Sequence, residues 1–323
     1  MGKSVLVMGG SYFIGKSIVH KLIEQGYSVH TLNRGTKPLS NPKVQNIKCD
    51  RNNESEMKRV LSNINFDIII DVSGLNKNQM EILCNAVNID KVKKFVFISS
   101  SAVYDIEDIK IPYVETDNLK ENKYWTFYGQ NKIEAEEFLT NKFKCTDSNL
   151  IILRPPYVYG ENNYAQRESF IFDHICNNKP IIIPNKGETK LQFIYTKDLA
   201  EIILKLLSIE LPSVSIYNVG NKNAVTIREW INSCEKVVGK KAAIVEYDYE
   251  KYKTNVRQFF PFFDYDNVLD VTKINEIHNE EAAFIEGLKN AYMWYEENKD
   301  NIIFKKEIAE NEEAIIDKLQ KLS

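Results

Sequence analysis

The chain is poor in the residues that build metal and disulfide frameworks. Its 323 residues hold four histidines and five cysteines. The cysteines (Cys49, Cys84, Cys145, Cys176 and Cys234) form no C-x-x-C pair, and no histidine stands at ligand spacing from another or from a cysteine. A zinc site is therefore not expected. Scattered thiols suit a reducing compartment, so the expected location is the cytoplasm. Charge of one sign is also missing. The 42 Lys and Arg against 45 Asp and Glu leave a net charge of -3, which offers no bulk attraction to nucleic acid or an anionic membrane. No apolar run approaches the length of a membrane span, and the one in "MGKSVLVMGG" is too short for a signal peptide. No internal period recurs, which excludes a solenoid.

What is present is a rhythm. "SVLVMG", "SVHTL", "VQNIKCD", "FDIIID" and "KKFVFISS" are short, mostly apolar runs. They alternate with helical patterns such as Ile14, Ile18, Val19, Leu22 and Ile23, "EMKRVLSNI" and "QMEILCNAVNI". Apolar strands alternating with helices predict an α/β fold, a doubly wound parallel sheet covered on both faces. Beyond about Glu161 the pattern loosens. "IYTKDLAEIILKLL" and "TIREWINSCEKVVG" read as helices, "SIYNVG" as a strand and "FFPFFDYDNVLD" as irregular. A charged helix with a stripe of Ile308, Ile315, Leu319 and Leu322 ends the chain.

The stretch "VLVMGGSYFIGKS" satisfies two phosphate-binding patterns. From Gly10 it spells a P-loop ending in Lys16-Ser17. From Gly9 it is the glycine-rich turn of a dinucleotide-binding βαβ unit with its middle glycine replaced by Tyr12. Both patterns follow a strand and open a helix, so local context leaves them open. Bulky Tyr12, Phe13 and Ile14 suit a helix packed tightly on a sheet better than a loop wrapped around phosphate.

"YGQNK" places Tyr128 and Lys132 four residues apart at the start of a helix, hence on one face. A phenol is a poor base at neutral pH, and an adjacent ammonium favours its phenolate. Upstream, "FISSSAVY" puts Ser99, Ser100 and Ser101 at the carboxyl end of a strand, the edge where open α/β sheets bind ligands. A serine there can hydrogen-bond a substrate oxygen, or simply cap the strand end.

In order along the chain, "GGSYFIG", "DVSG", "FISSSAVY", "YGQNK", "LRPPYVYGENN", "QFIYTKDLA", "YNVGNKNAVTIREW" and "VLDVTK" resemble the extended short-chain dehydrogenases/reductases, the group of NAD-dependent epimerases and dehydratases. The resemblance is greatest to a divergent subset with "GGTxFIG" at the turn, which includes chloroplast RNA-binding proteins. It implies a Rossmann-type sheet at 1–160 with 190–220 returning to it. A smaller substrate lobe is implied at 161–189 and 221–300, with a terminal helix at 301–323. Tyr128 would be the acid/base, Lys132 its partner and a ribose ligand, and Ser100 the substrate-oxygen donor. Gly9, Ser11, Tyr12, Phe13, Ile14 and Gly15 would cradle the cofactor's phosphates. Asp50 and Arg51 would lie at the adenine, Ser73, Gly74 and Ser99 under the cofactor, and Pro155 and Val158 beside the nicotinamide.

The cofactor implied is NAD or NADP. Asn33 and Arg34 stand where NAD users carry an acid, and Lys37 follows, so NADP is favoured. Other departures bear on the substrate. Leu191 and then Gln192 replace the usual diphosphate-binding arginine region, and Tyr157 replaces an asparagine. Ser101, Tyr157 and Gln192 are the candidate substrate contacts. Ser101-Ala102 after Ser100 argues against 4,6-dehydration. The expectation is an NAD(P)-dependent oxidoreductase or epimerase acting on a hydroxyl or carbonyl carbon of a small molecule, possible substrates including a nucleotide sugar. The alternative is a cofactor-sensing or RNA-binding protein without turnover, although nucleic acid is not the expected partner. The resemblance also implies a homodimer joined through the helix carrying Tyr128 and the helix before it.

Overall fold

Val5, Leu6, Val7 and Met8 have no exposed surface, as expected of a strand flanked on both sides and covered on both faces. In the computed structural model, which describes residues 2–144 and 146–321, that strand is β1 (Ser4–Met8). It pairs in parallel with β2 (Ser28–Asn33) through Val5 opposite Val29. On its other side it pairs with β4 (Ile68–Asp71) through Val5 opposite Ile68. With β3 (Val44–Lys48), β5 (Lys94–Ile98), β6 (Asn149–Arg154) and the strand Val214–Asn218, they form a seven-stranded sheet. Its order is β3-β2-β1-β4-β5-β6 and then Val214–Asn218, every pair parallel. The order reverses between β1 and β4, and the carboxyl edge at such a switch point is where open α/β sheets bind ligands.

Alternation along the strands feeds two apolar layers. Leu6, Met8, Ile69, Phe95, Phe97, Leu150 and Ile152 share one cluster with Met57 and Leu61 of α2 (Glu54–Leu61), Met80 and Leu83 of α3 (Lys77–Ala86), and Leu139 and Phe143 of α4 (Phe127–Phe143). On the opposite face α1 (Phe13–Glu24) packs against the helix Thr196–Ser208, burying Ile18, Val19 and Leu22. The α3 pattern stops earlier than the sequence predicts. Val87 is extended, and a short 3-10 turn follows at Ile89–Lys91.

The sheet and its helices make one unit, comprising the chain up to Val158 together with Thr196–Lys222 and Val268–Glu281. The second unit comprises Tyr159–Tyr195, Asn223–Asn267 and the chain from Ala282 onward. The return therefore starts at Thr196 rather than 190, because Ile194 and Tyr195 belong to the strand Phe193–Tyr195 and not to the helix. The stretch 268–281 also returns to the first unit, and the terminal helix Lys306–Gln320 clusters with the second. In that second unit the strands Pro180–Pro184 and Ala243–Tyr247 pair in parallel, and the helices Glu168–Cys176, Ile227–Val238 and Phe284–Asn298 pack on one another. Their core is aromatic, with Phe193 stacked on Trp230 at 4.1 Å. Cys49, Cys84, Cys176 and Cys234 are free. Cys145 and Leu322 lie outside the described residues.

Candidate active site

In a parallel sheet every strand delivers its following turn to the same edge. The turns after β1, β2, β3, β4, β5 and β6 carry Gly9 to Tyr12, Arg34, Asp50 with Arg51, Ser73 with Gly74, Ser99 to Ser101, and Pro155 respectively. Asn33 is the last residue of β2. Residues read from six separate stretches of sequence thus share one rim.

The glycine turn is closed by contact. Gly9 has φ +80, a conformation that favours glycine, and a Cβ there would stand 2.7 Å from Ser73 Cβ. A Cβ on Gly15 would collide with the Gly9 carbonyl oxygen. Tyr12 is extended and precedes the first residue of α1, and its half-buried ring lies 4.6 Å beneath the Lys37 ammonium. Lys16 and Ser17 fall in the first turns of α1, with Ser11, Ile14 and Lys16 partly exposed.

At the end of β2, Asn33 Oδ1 accepts the Gly35 N–H at 2.8 Å, closing a small turn that leaves Arg34 exposed. The Asn33 Nδ2 is buried without a hydrogen-bond partner among the described residues. Asp50 Oδ1 accepts the Asn52 N–H at 3.0 Å. Arg51 donates from Nη1 and Nη2 to the two oxygens of Asp71, at 2.9 and 2.7 Å, and from Nη1 to Ser73 Oγ at 2.8 Å.

The helix α4 is set against the turn after β5 by Gly129, where a Cβ would stand 2.5 Å from the Ala102 carbonyl oxygen. That close approach, which the sequence reading did not single out, seats the first turn of α4 beside Ser101–Val103. Ser100 Oγ accepts the Ala102 N–H at 3.1 Å. This is the capping reading of that serine, and it occupies one acceptor lone pair while leaving the O–H. Ser101 is buried and donates its N–H to the Pro155 carbonyl at 2.9 Å. Ser99 Oγ is buried without a partner among the described residues. Tyr128 is 37% exposed, and Trp125 stands between it and Tyr157, at ring-centre distances of 5.7 and 6.3 Å.

Lys132 is buried, and its ammonium donates to the carbonyls of Gly74 at 2.6 Å and Ile98 at 2.7 Å. It lies 6.0 Å from the Tyr128 ring centre. Burial pulls its pKa down to about 8, with Asp71 and Glu136 opposing the fall and Arg51 assisting it. Further along α4, Glu136 accepts from Arg154 in a fully buried pair, with Nη2 at 2.6 Å. Pro155 and Val158 are buried. Gln192 belongs to the second unit, where it is buried. Among the described residues no cluster of His, Cys, Asp and Glu is arranged to hold a metal ion, and no helix is long and apolar enough to cross a membrane.

Known proteins are similar to this chain in sequence and in fold. The chain is 28% identical over 307 residues to the chloroplast stem-loop binding protein of 41 kDa b from Arabidopsis thaliana, spanning 90% of this chain and 78% of that one. It is 26% identical over 276 residues to the dTDP-4-dehydro-6-deoxyglucose reductase of Escherichia coli, spanning 74% and 83%. The fold matches the UDP-glucose 4-epimerase of Thermotoga maritima, solved with UDP-glucose, at a TM-score of 0.79 and 20% identity, covering 92% of this chain and 99% of the other. The model of the NAD dependent epimerase/dehydratase family matches residues 5–220, more than half of the chain, and the protein belongs to that family.

Proposed function

We propose that the protein is an NADP-using oxidoreductase or epimerase that works on a hydroxyl or carbonyl carbon of a nucleotide sugar or related metabolite. The observation that carries this reading is the Lys132 ammonium, seated on two backbone carbonyls 6.0 Å from the Tyr128 ring, at the edge that also bears the closed glycine turn. Two orphaned polar atoms at that edge, Asn33 Nδ2 and Ser99 Oγ, fit a bound dinucleotide. Gly9 to Gly15 would face its pyrophosphate, Ser73 and Gly74 would pass under it, and Lys132 would bond the nicotinamide ribose.

When bound, the nicotinamide supplies hydride transfer to or from the substrate carbon. Tyr128 moves the proton on the substrate oxygen. Lys132, as an ammonium, favours the phenolate form of Tyr128. Ser100 keeps its O–H after capping Ala102 and donates it to the same substrate oxygen. The preference for NADP rests on Asn33. One lone pair of its Oδ1 accepts the Gly35 N–H and its Nδ2 donor has no partner among the described residues, with Arg34 and Lys37 close in sequence. Donors and cations suit a 2′-phosphate, whereas a ribose hydroxyl seeks an acceptor. The nucleotide-sugar class is supported by the names of the reductase and epimerase to which the chain is similar.

A second reading, cofactor or RNA binding without turnover, is favoured by the stem-loop binding relative. One experiment separates the two. The purified protein is denatured and released nucleotide identified by mass, then NADPH binding and turnover are compared in wild type and Tyr128→Phe. Retained binding with turnover abolished supports the proposal. Wild-type turnover in the variant refutes the relay, and released ATP or ADP refutes the dinucleotide turn. RNA binding that weakens steeply with salt, with no turnover in the wild type, supports the second reading.

A further inference from the structure

Asp71 ends β4 with no exposed surface, and a lone carboxylate buried so deeply demands a cation. Two cations are within its electrostatic reach, Arg51 and Lys132. Arg51 takes both carboxylate oxygens in a two-pronged pair, and the Ser73 N–H fills a further site on Oδ1 at 3.1 Å. The same guanidinium holds Ser73 Oγ, and Ser73 abuts Gly9. Next in the chain, Gly74 packs close to the carboxylate, where a Cβ would stand 2.8 Å from Asp71 Oδ2. The Gly74 carbonyl is one of the two seats of the Lys132 ammonium. A continuous chain of contacts therefore runs from the end of β3 through the turn after β4 to the lysine on α4.

We propose that Arg51 is a positioning residue: by closing Asp71 into a neutral pair, it keeps that carboxylate from claiming Lys132 as its counter-ion and shapes the turn that seats the lysine. This deepens the reading given above, because a lysine held by carbonyls alone can respond to Tyr128 and to a bound ribose, whereas one locked to Asp71 cannot. The charged groups acting on Lys132 are Asp71, Arg51 and Glu136. Glu136 is itself neutralised by Arg154, and Phe97 supplies an aromatic face at 4.6 Å. The Arg51–Asp71 pair is thus the adjustable element of the lysine's surroundings.

The test reads Lys132 directly and needs neither cofactor nor turnover, so it stands or falls apart from the proposed reaction. The lysine Nζ signals of the full chain are followed by 15N NMR against pH, the Lys132 signal being the one lost in Lys132→Arg. Arg51→Gln exposes the lysine to an unpaired Asp71 and raises its midpoint by about 1–3 units. Asp71→Asn leaves Arg51 unopposed and moves the midpoint down. The double variant Arg51→Gln/Asp71→Asn removes both charges and returns it to within about half a unit of wild type. Opposite shifts in the two single variants with recovery in the double support the proposal. Should Arg51→Gln not fold, the downward shift of Asp71→Asn and the double variant carry the test. An unmoved midpoint in the folded single variants overturns it, as does a double variant displaced from wild type by as much as a single one.

Discussion

Replacing Arg154 by methionine should be among the most destabilising single changes in the first unit. The guanidinium donates from Nε and Nη2 to Glu136 at 2.6–3.2 Å and from Nη1 to Tyr104 Oη at 3.1 Å and the Glu115 carbonyl at 3.0 Å. Both partners of the ion pair are almost wholly buried, with side chains 2% and 4% exposed. Methionine fills much of the volume but strands the Glu136 carboxylate, and breaking one side of such a pair costs about 3–5 kcal/mol. At a few degrees per kcal/mol, the loss corresponds to a fall in melting temperature on the order of 10 °C. The consequence reaches the site, because Glu136 lies on α4 four residues after Lys132 and Arg154 ends the strand that leads into Pro155. Urea unfolding followed by circular dichroism, with the slope unchanged, gives the difference. The double variant Arg154→Met/Glu136→Leu should recover at least half of the loss, since a neutral apolar pair leaves no stranded charge. A single variant that loses less than about 1 kcal/mol, or a double variant less stable than the single, refutes the argument that this pair pins α4 to the sheet.

Two further outcomes follow from named groups. Asn33→Asp places a carboxylate where a donor now stands, so NADPH affinity should fall about tenfold or more and NADH affinity rise, read by nicotinamide fluorescence titration; an unchanged ratio places 2′-phosphate selection elsewhere. Glu168 in the second unit is fully buried, accepting from the Gly160 N–H and the Asn163 amide, and burial pushes its carboxyl up to about 7. Between its ordinary value near 4.5 and about 7 the folded chain keeps a proton that the unfolded chain has lost. Stability should therefore decline as pH rises through that window, by about 3 kcal/mol, and level off above it. Glu168→Gln should abolish that slope, and urea midpoints of wild type and variant that stay parallel from pH 5 to 8 would falsify the assignment.

The sequence alone determined the α/β class. Apolar runs such as "VLVM" and "FVFI" are too short for buried helices and too continuous for a half-exposed sheet, so they predict buried parallel strands on periodicity. The tight turn at Gly9 and the placing of Tyr128 and Lys132 on one helix could be read ahead, because a positive φ and a shared helix face are local properties. The boundaries of the returning segments were not. Ile194 and Tyr195 are as apolar as the helix they precede, and only their place in the strand Phe193–Tyr195 separates them from it. Nor could spacing show that Arg51 lies against Asp71, twenty residues on, because the two meet only where β3 and β4 deliver their turns to one edge. Gly129 is one glycine among 13 in the sequence, and its close approach to Ala102 exists only once α4 lies on the turn after β5. Ser100 could be read as a cap or as a substrate donor, and its bond to Ala102 accounts for the first without using the O–H needed for the second. Residue types and periodicity fix which chemistry a chain carries, whereas distance, burial and the pairing of buried charge arise only from long-range contacts, and those the tertiary structure alone decided.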